Sequence, residues 1–364
     1  MLKQRKDSIQ LVSEWDLDPA QRDKKLEILN MWEAMIGKAD FESILEICSN
    51  FIYYSERLTA LAYKDIFNKN NSEIDNFEQS LFFPLRRKDR IESSVDMFSS
   101  FRLANNIDAN KTYVNGAIDY LIKYRGSKEF NNKVIKEFDE EVCKIDDSIY
   151  ILKMNLETYI SDRKTHSSIK KKISELQVNK ARRKERLDKS IEDFHRNYYS
   201  IKNLLIIDDF IGTGDSVNKF LKEIHEIING SKISVNFFLW VIEASESGLE
   251  AIEHKANELG LEIVIRFYKK TKDVLAEDVI FSRDNLDKVK ALIEQINKKN
   301  RLKPSPYCKN HAIASFVNAP NNNLTLLSEE SSTWKALFLR TKRNKIEREV
   351  SSKDLKDAYQ YLRE

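Results

Sequence analysis

Past residue 200 the chain alternates between short unbroken apolar runs and amphipathic stretches. The runs are LLII at 204–207, ISVNFFLWVI at 233–242, LEIVIRF at 261–267 and AIASFV at 312–317. Between them come Val217, Phe220, Leu221, Ile224, Ile227 and Ile228, then GLEAIEHKANEL closed by Gly260, then NLDKVKALIEQINKK. A strand apolar on both faces must be covered on both, and apolar residues three and four apart mark the helices that cover it. The order predicts an α/β fold with a parallel sheet and helices on both faces. Eight glycines and five prolines in 364 residues also favour helices and long elements over a sandwich of short strands.

Upstream the pattern differs. LEILNMWEAMI and FESILEICSNFIYYSERLTALAYKDIF, between residues 20 and 76, carry helical spacing, with Asp40 placed to cap a helix. FEQSLFFPLRRKDRIESS offers an apolar run stopped by Pro84, then a basic loop, and VDMFSSFRLANNI a helix. Residues 127–200 hold neither glycine nor proline and are densely charged, as in a long helical hairpin turning near residues 165–168. Five regions are expected: a helical N-terminal region (1–76), a first piece of the α/β domain (77–126), a charged helical arm (127–200), the main α/β part (201–320) and a tail (321–364). Trp334, Leu337 and Phe338 are expected to pack that tail back on the domain.

Charge is balanced overall, with 61 Lys plus Arg against 58 Asp plus Glu, so the whole chain does not announce a nucleic-acid binder. Locally it is not: residues 163–189 hold eleven Lys or Arg and three acids. Lys170, Lys171, Lys172, Arg182, Arg183 and Lys184 belong to this run. It reads as a solvated helix face, or as a stripe for phosphates of structured nucleic acid or for an acidic partner. No aromatic precedes Phe194 there, so base stacking is not supported. Cys48, Cys143 and Cys308 show neither a disulfide framework nor zinc spacing. The start resembles no signal peptide and no run of about 18 apolar residues occurs, so a soluble, cytoplasmic protein without a membrane partner is expected.

The chemistry concentrates in NLLIIDDFIGTGDSVNKFL, residues 203–221. Asp208 and Asp209 fall at the carboxyl end of a strand, where open α/β sheets form their ligand crevice. Gly212 and Gly214 carry no Cβ, so their amides can converge on one point; a helix start, Thr213 and Ser216 add donors. Residues 212–217 (Gly212, Thr213, Gly214, Asp215, Ser216, Val217) thus read as a phosphate cradle. The neighbouring carboxylates suit vicinal hydroxyls of a sugar, directly or through a divalent ion. Phosphate at one end and a diol at the other describe a 5-phosphoribosyl group.

Four aliphatics, Asp-Asp, three residues and Thr-Gly-x-Ser resemble the signature of type I phosphoribosyltransferases. More closely, IIDDFIGTGDS, with NAPNNNLTLL and WKALFLR downstream, resembles the phosphoribosyltransferase-like group of bacterial conflict systems, including some retron defence operons. The resemblance implies a sheet of the type I phosphoribosyltransferase kind. It implies that Asp208 and Asp209 contact the ribose hydroxyls as the catalytic pair, with Mg²⁺ as cofactor held indirectly through them. It also implies a pyrophosphate loop in the first α/β unit. The segment there, PLRRKDRIESS, has no glycine and offers Arg86, Arg87, Lys88, Ser93 and Ser94 instead. Asn318, Asn321 and Asn322 are candidates to line the pocket. The expected ligand is phosphoribosyl pyrophosphate or a nucleotide; the expected setting is anti-phage defence as a retron-associated toxin, with a reverse transcriptase and structured nucleic acid as possible partners.

Rival readings fare worse. A Walker B acid pair needs a G-x-x-x-x-G-K-[ST] partner, which is missing, and no G-x-G-x-x-G marks a dinucleotide site. A receiver domain needs an Asp ending LEIVIRFYKK, and none stands there. A solvated turn with accidental acids stays open. His166, His195, His225, His254 and His311 read as structural or solvated. Three functions remain: an enzyme on a phosphoribosyl compound, a non-catalytic sensor of such a compound, and an assembly protein working through the basic arm.

Overall fold

The computed structural model describes residues 7–86, 94–229 and 233–341. Three helices open it: α1 (Ser8–Glu14), α2 (Pro19–Ile36) and α3 (Lys38–Ser49). Asp7 and Asp18 cap the first two through the amides of Gln10 and Gln21, each at 2.8 Å. Asp40 lies in the first turn of α3; the cap position is Gly37, whose φ of 85° breaks the chain between α2 and α3. A short strand not foreseen from the sequence, β1 (Ile52–Tyr54), precedes α4 (Glu56–Asn70).

The sheet follows from β2 (Ser80–Pro84), β3 (Asn203–Ile211), β4 (Asn236–Ser245) and β5 (Ile263–Thr271), paired parallel in that order. The helices between these strands are α5 (Ser94–Ala104), α6 (Ala117–Thr158), α7 (Arg163–Phe194), α8 (Asp215–Ile228) and α9 (Glu246–Leu259). One face is covered by the start of α6 with α8 and α9, which bury Ile118, Leu121, Phe220, Leu221, Ile224 and Ile252 against Leu204, Ile206 and Leu239. The other is covered by α4 and α5, which bury Tyr63, Ile66, Met97 and Phe101 against Leu205, Ile207, Phe238 and Trp240. Burial on both faces is why β3 and β4 read as unbroken apolar runs, whereas β5, at the sheet edge, is half-buried at first and then exposed.

A third core gathers α1–α3, then α10 (Arg283–Lys299), α11 (Thr325–Ser328) and the following segment. Trp334 is fully buried there and stacks on Trp32 with ring centroids 4.7 Å apart. Both indole N–H groups donate to backbone carbonyls, of Leu326 and Lys335. The run AIASFV does not extend the main sheet; its strand β6 (Ile313–Ser315) pairs only with β1, parallel, in a separate two-stranded ribbon.

The arm is a helical hairpin. At 1.5 Å per residue its 42-residue α6 and 32-residue α7 are about 63 and 48 Å long. Its turn falls at residues 159–162, earlier than the serines and threonine at 165–168 suggest, because Asp162 caps α7 by accepting from the amides of Lys164 and Thr165. Ile149 and Ile173 are buried in the seam, Ser190 donates to Asn131, and Lys180 pairs with Asp146 at 2.7 Å. Arg183 pairs with Glu141 and is half-buried, while Lys170, Lys171, Lys172, Arg182 and Lys184 are exposed. Among the described residues no helix is long and apolar enough to cross a membrane.

Candidate functional site

Strand β3 is buried through Ile207, and Asp208 then keeps only 9% of its surface exposed. Its backbone carbonyl accepts from the Tyr63 hydroxyl at 2.9 Å, which ties the acid pair to α4. Burial first, then the charges of Asp209 and Asp208, push the Tyr63 phenol well above its ordinary value, so it remains a neutral donor. Asp209 is half-buried and accepts from the Phe210 amide at 2.8 Å.

The chain then turns through Gly212, Thr213 and Gly214 into α8. Gly214 is the N-cap residue, with φ 79° and no side chain to cap the helix. The first amides of a helix have no intrahelical acceptor, and they carry its positive end. The turn is held from behind by α9. Ser245 caps that helix by accepting from Gly248 N–H at 3.0 Å, and its hydroxyl donates to the Gly212 carbonyl. A Cβ on Gly248 would stand 2.4 Å from that carbonyl, and one on Gly214 would stand 2.8 Å from the Gly248 carbonyl. The loop therefore lies against the start of α9 with no room for a side chain at the contact.

In front of the loop is a cleft of about 130 Å³ lined by Asp208, Phe210, residues 211–217, Lys219, Tyr307, Asn321 and Asn322. The structure thus brings Asp208, Gly212, Thr213, Gly214, Asp215, Ser216 and Val217 into one cavity with two of the three asparagines. Asn322 donates to the Tyr307 carbonyl at 2.8 Å and presses its amide against Gly212. Asn318 is not there: its amide oxygen accepts from the Thr341 amide at 2.8 Å and its nitrogen donates to the Thr341 carbonyl, fastening the tail. Asp209 is adjacent in sequence but does not line the cleft. Lys219 and Tyr307 were missed. Lys219 stands one turn into α8, a spacing that could have singled it out; Tyr307 comes from a loop whose approach only the fold sets.

The basic segment expected to hold pyrophosphate begins beside β3. Leu85 N–H donates to the Ile207 carbonyl at 2.9 Å, so the chain at Arg86 leaves the sheet alongside Asp208. Arg87, Lys88 and Ser93 lie outside the described residues. Ser94 is fully buried and its hydroxyl donates to the Leu85 carbonyl at 2.5 Å.

Among the described residues no three His, Cys, Asp or Glu side chains gather as a metal cage. Mg²⁺ is commonly held by one or two carboxylates plus the oxygens of its substrate, and Asp208 with Asp209 fits that donor set.

A parallel α/β sheet with an acid pair and an amide-rich loop at one strand's carboxyl end defines a phosphoribosyltransferase-like protein. The PRTase-CE family model matches residues 136–340, more than half of the chain, and the chain belongs to that conflict-system family. No curated protein and no solved structure matches it.

Proposed function

We propose that the cleft at the carboxyl end of β3 holds the 5-phosphoribosyl group of phosphoribosyl pyrophosphate or a nucleotide. The observation that supports this is the shared cavity of Asp208 and the 212–217 loop. The phosphate would sit on the amides before and within the first turn of α8, with the Thr213 and Ser216 hydroxyls donating to it. The ribose would lie toward Asp208 and Asp209, each carboxylate accepting from a ring hydroxyl. Those acids would also hold Mg²⁺ through ligand oxygens, and the ion would supply charge neutralisation for a departing pyrophosphate. Arg86 and the basic residues after it would meet that end of the ligand.

The reaction this arrangement serves is displacement at ribose C1: the bond to the leaving group breaks with its electron pair and an acceptor takes its place. Positioning and charge stabilisation would dominate such catalysis. The family's conflict-system character supports placing this chemistry in anti-phage defence, as an effector acting on a phosphoribosyl compound, with a retron and its reverse transcriptase as the proposed setting. The glycine-free segment 84–94 favours a second reading, in which the site senses the ligand without turning it over.

Calorimetric titration with phosphoribosyl pyrophosphate and Mg²⁺ tests the site, and chromatography of the same mixtures tests turnover. Binding that is lost in the double variant Asp208→Asn, Asp209→Asn, and weakened about tenfold by Ser216→Ala, as expected for one hydrogen bond to a charged group, supports it. Equal affinity in wild type and variants, or no binding to wild type, overturns it. Binding without turnover selects the sensor.

A further inference from the structure

We propose that the distal end of the arm is a docking surface for a second protein, which it takes through an apolar patch set among lysines. The last turns of α6 and the hairpin turn expose Tyr150 (65%), Ile151 (59%), Met154 (52%), Tyr159 (47%) and Ile160 (69%). At about 100° per residue, Tyr150, Ile151 and Met154 share a face opposite Ile149, Leu152 and Leu156, which turn toward α7. They add nothing to the hairpin seam. Apolar side chains clustered on an exposed tip mark an interaction site, whereas single ones do not.

Charge selects the occupant. The cross-hairpin pairs Lys180–Asp146 and Arg183–Glu141 fix the register, and continuing it sets Lys170, Lys171 and Lys172 level with the turn of α6 that holds Met154. Those three lysines are exposed and successive, so they fan over sides of α7 that do not face α6. A second copy would bring the same excess of cations against itself, which disfavours self-association. Nucleic acid would satisfy the lysines but offer no dry surface for isoleucine and methionine. A protein segment with an apolar stripe flanked by Asp and Glu satisfies both halves of the patch.

The test places a photo-crosslinking amino acid at Ile151 in the full-length protein, in its own cells, with Leu103 on α5 (70% exposed) as control. The expected result is an adduct to another protein, through a segment with more Asp and Glu than Lys and Arg. The triple variant Lys170→Glu, Lys171→Glu, Lys172→Glu, matched in expression and melting midpoint, lowers that adduct at least fivefold. Crosslinks to nucleic acid, lipid or a second copy, a yield no higher than at Leu103, or a yield indifferent to the lysine variant overturn the proposal. The outcome is independent of the cleft, since the arm tip and the ligand-binding loop share no residue.

Discussion

Gly248 carries as much of the candidate site as the loop it supports, although it binds nothing itself. A methyl group there would stand 2.4 Å from the Gly212 carbonyl and 2.7 Å from Ile211, so the loop or the start of α9 must move. Gly248→Ala is expected to cost about 1–3 kcal/mol in denaturant unfolding, the usual range for overpacking, and to weaken phosphoribosyl pyrophosphate binding at least tenfold in calorimetry. A variant with full affinity would show that the loop tolerates displacement. His311 gives a prediction in pH. Burial, against a smaller opposing effect of Asp273, lowers its imidazole from 6.5 to about 4. Below pH 6.5 the unfolded chain takes up a proton that the folded chain refuses, so this contribution to stability is complete above pH 6.5. It is lost as the pH falls toward 4. The full loss is on the order of 3 kcal/mol, converted at about 1.4 kcal/mol per pH unit. Unfolding of wild type and His311→Gln at pH 7, 5.5 and 4 measures it, the variant showing the shallower decline.

Elements show where sequence reading succeeds and where it fails. The strands and the amphipathic stripe of α8 are legible because period and burial coincide: Val217, Phe220, Leu221 and Ile224 are all buried. The acid pair and glycine loop are legible because their roles depend on local backbone. Partner choice is not local. Residues 312–317 read as a sheet strand, yet β6 pairs with β1, a strand of three residues too short to announce itself. The hairpin turn is expected near 165–168, whereas Asp162 caps α7 and sets the turn at 159–162. Ser245 joins two elements, capping α9 while its hydroxyl holds the Gly212 carbonyl. Ser245→Ala is therefore expected to lower stability by about 1–2 kcal/mol, at the upper end for a cap because a half-buried carbonyl loses its donor as well. Thermal melting checks the stability, and an unchanged midpoint would mean that α9 is held by packing alone.

At the scale of the molecule, the stretch matched by the family model is smaller than the unit that folds. Residues 136–340 include β3, β4 and β5 but omit β2, α4 and α5. Without those elements, Leu205, Ile207, Phe238 and Trp240 lose the Tyr63, Ile66, Met97 and Phe101 packed over them. β3 loses β2, one of its two parallel neighbours, and the third core loses Leu29, Trp32, Ile44 and Ile47, all fully buried. Each large buried side chain left exposed forfeits about 1.5–3 kcal/mol, so the four uncovered on the sheet alone forfeit about 6–12 kcal/mol, comparable to the 5–15 kcal/mol by which a typical protein is stable. A chain cut to 136–340 is expected to show no cooperative thermal transition and rapid proteolysis, while one spanning 7–341 melts cooperatively. Cooperative unfolding of the short piece would mean that the sheet needs only its α8–α9 face, and that the helical N-terminal region is an addition. The tyrosine holding the Asp208 carbonyl belongs to α4, so the same truncation removes a support of the acid pair. On this argument the N-terminal helices and the ligand site fold as one unit.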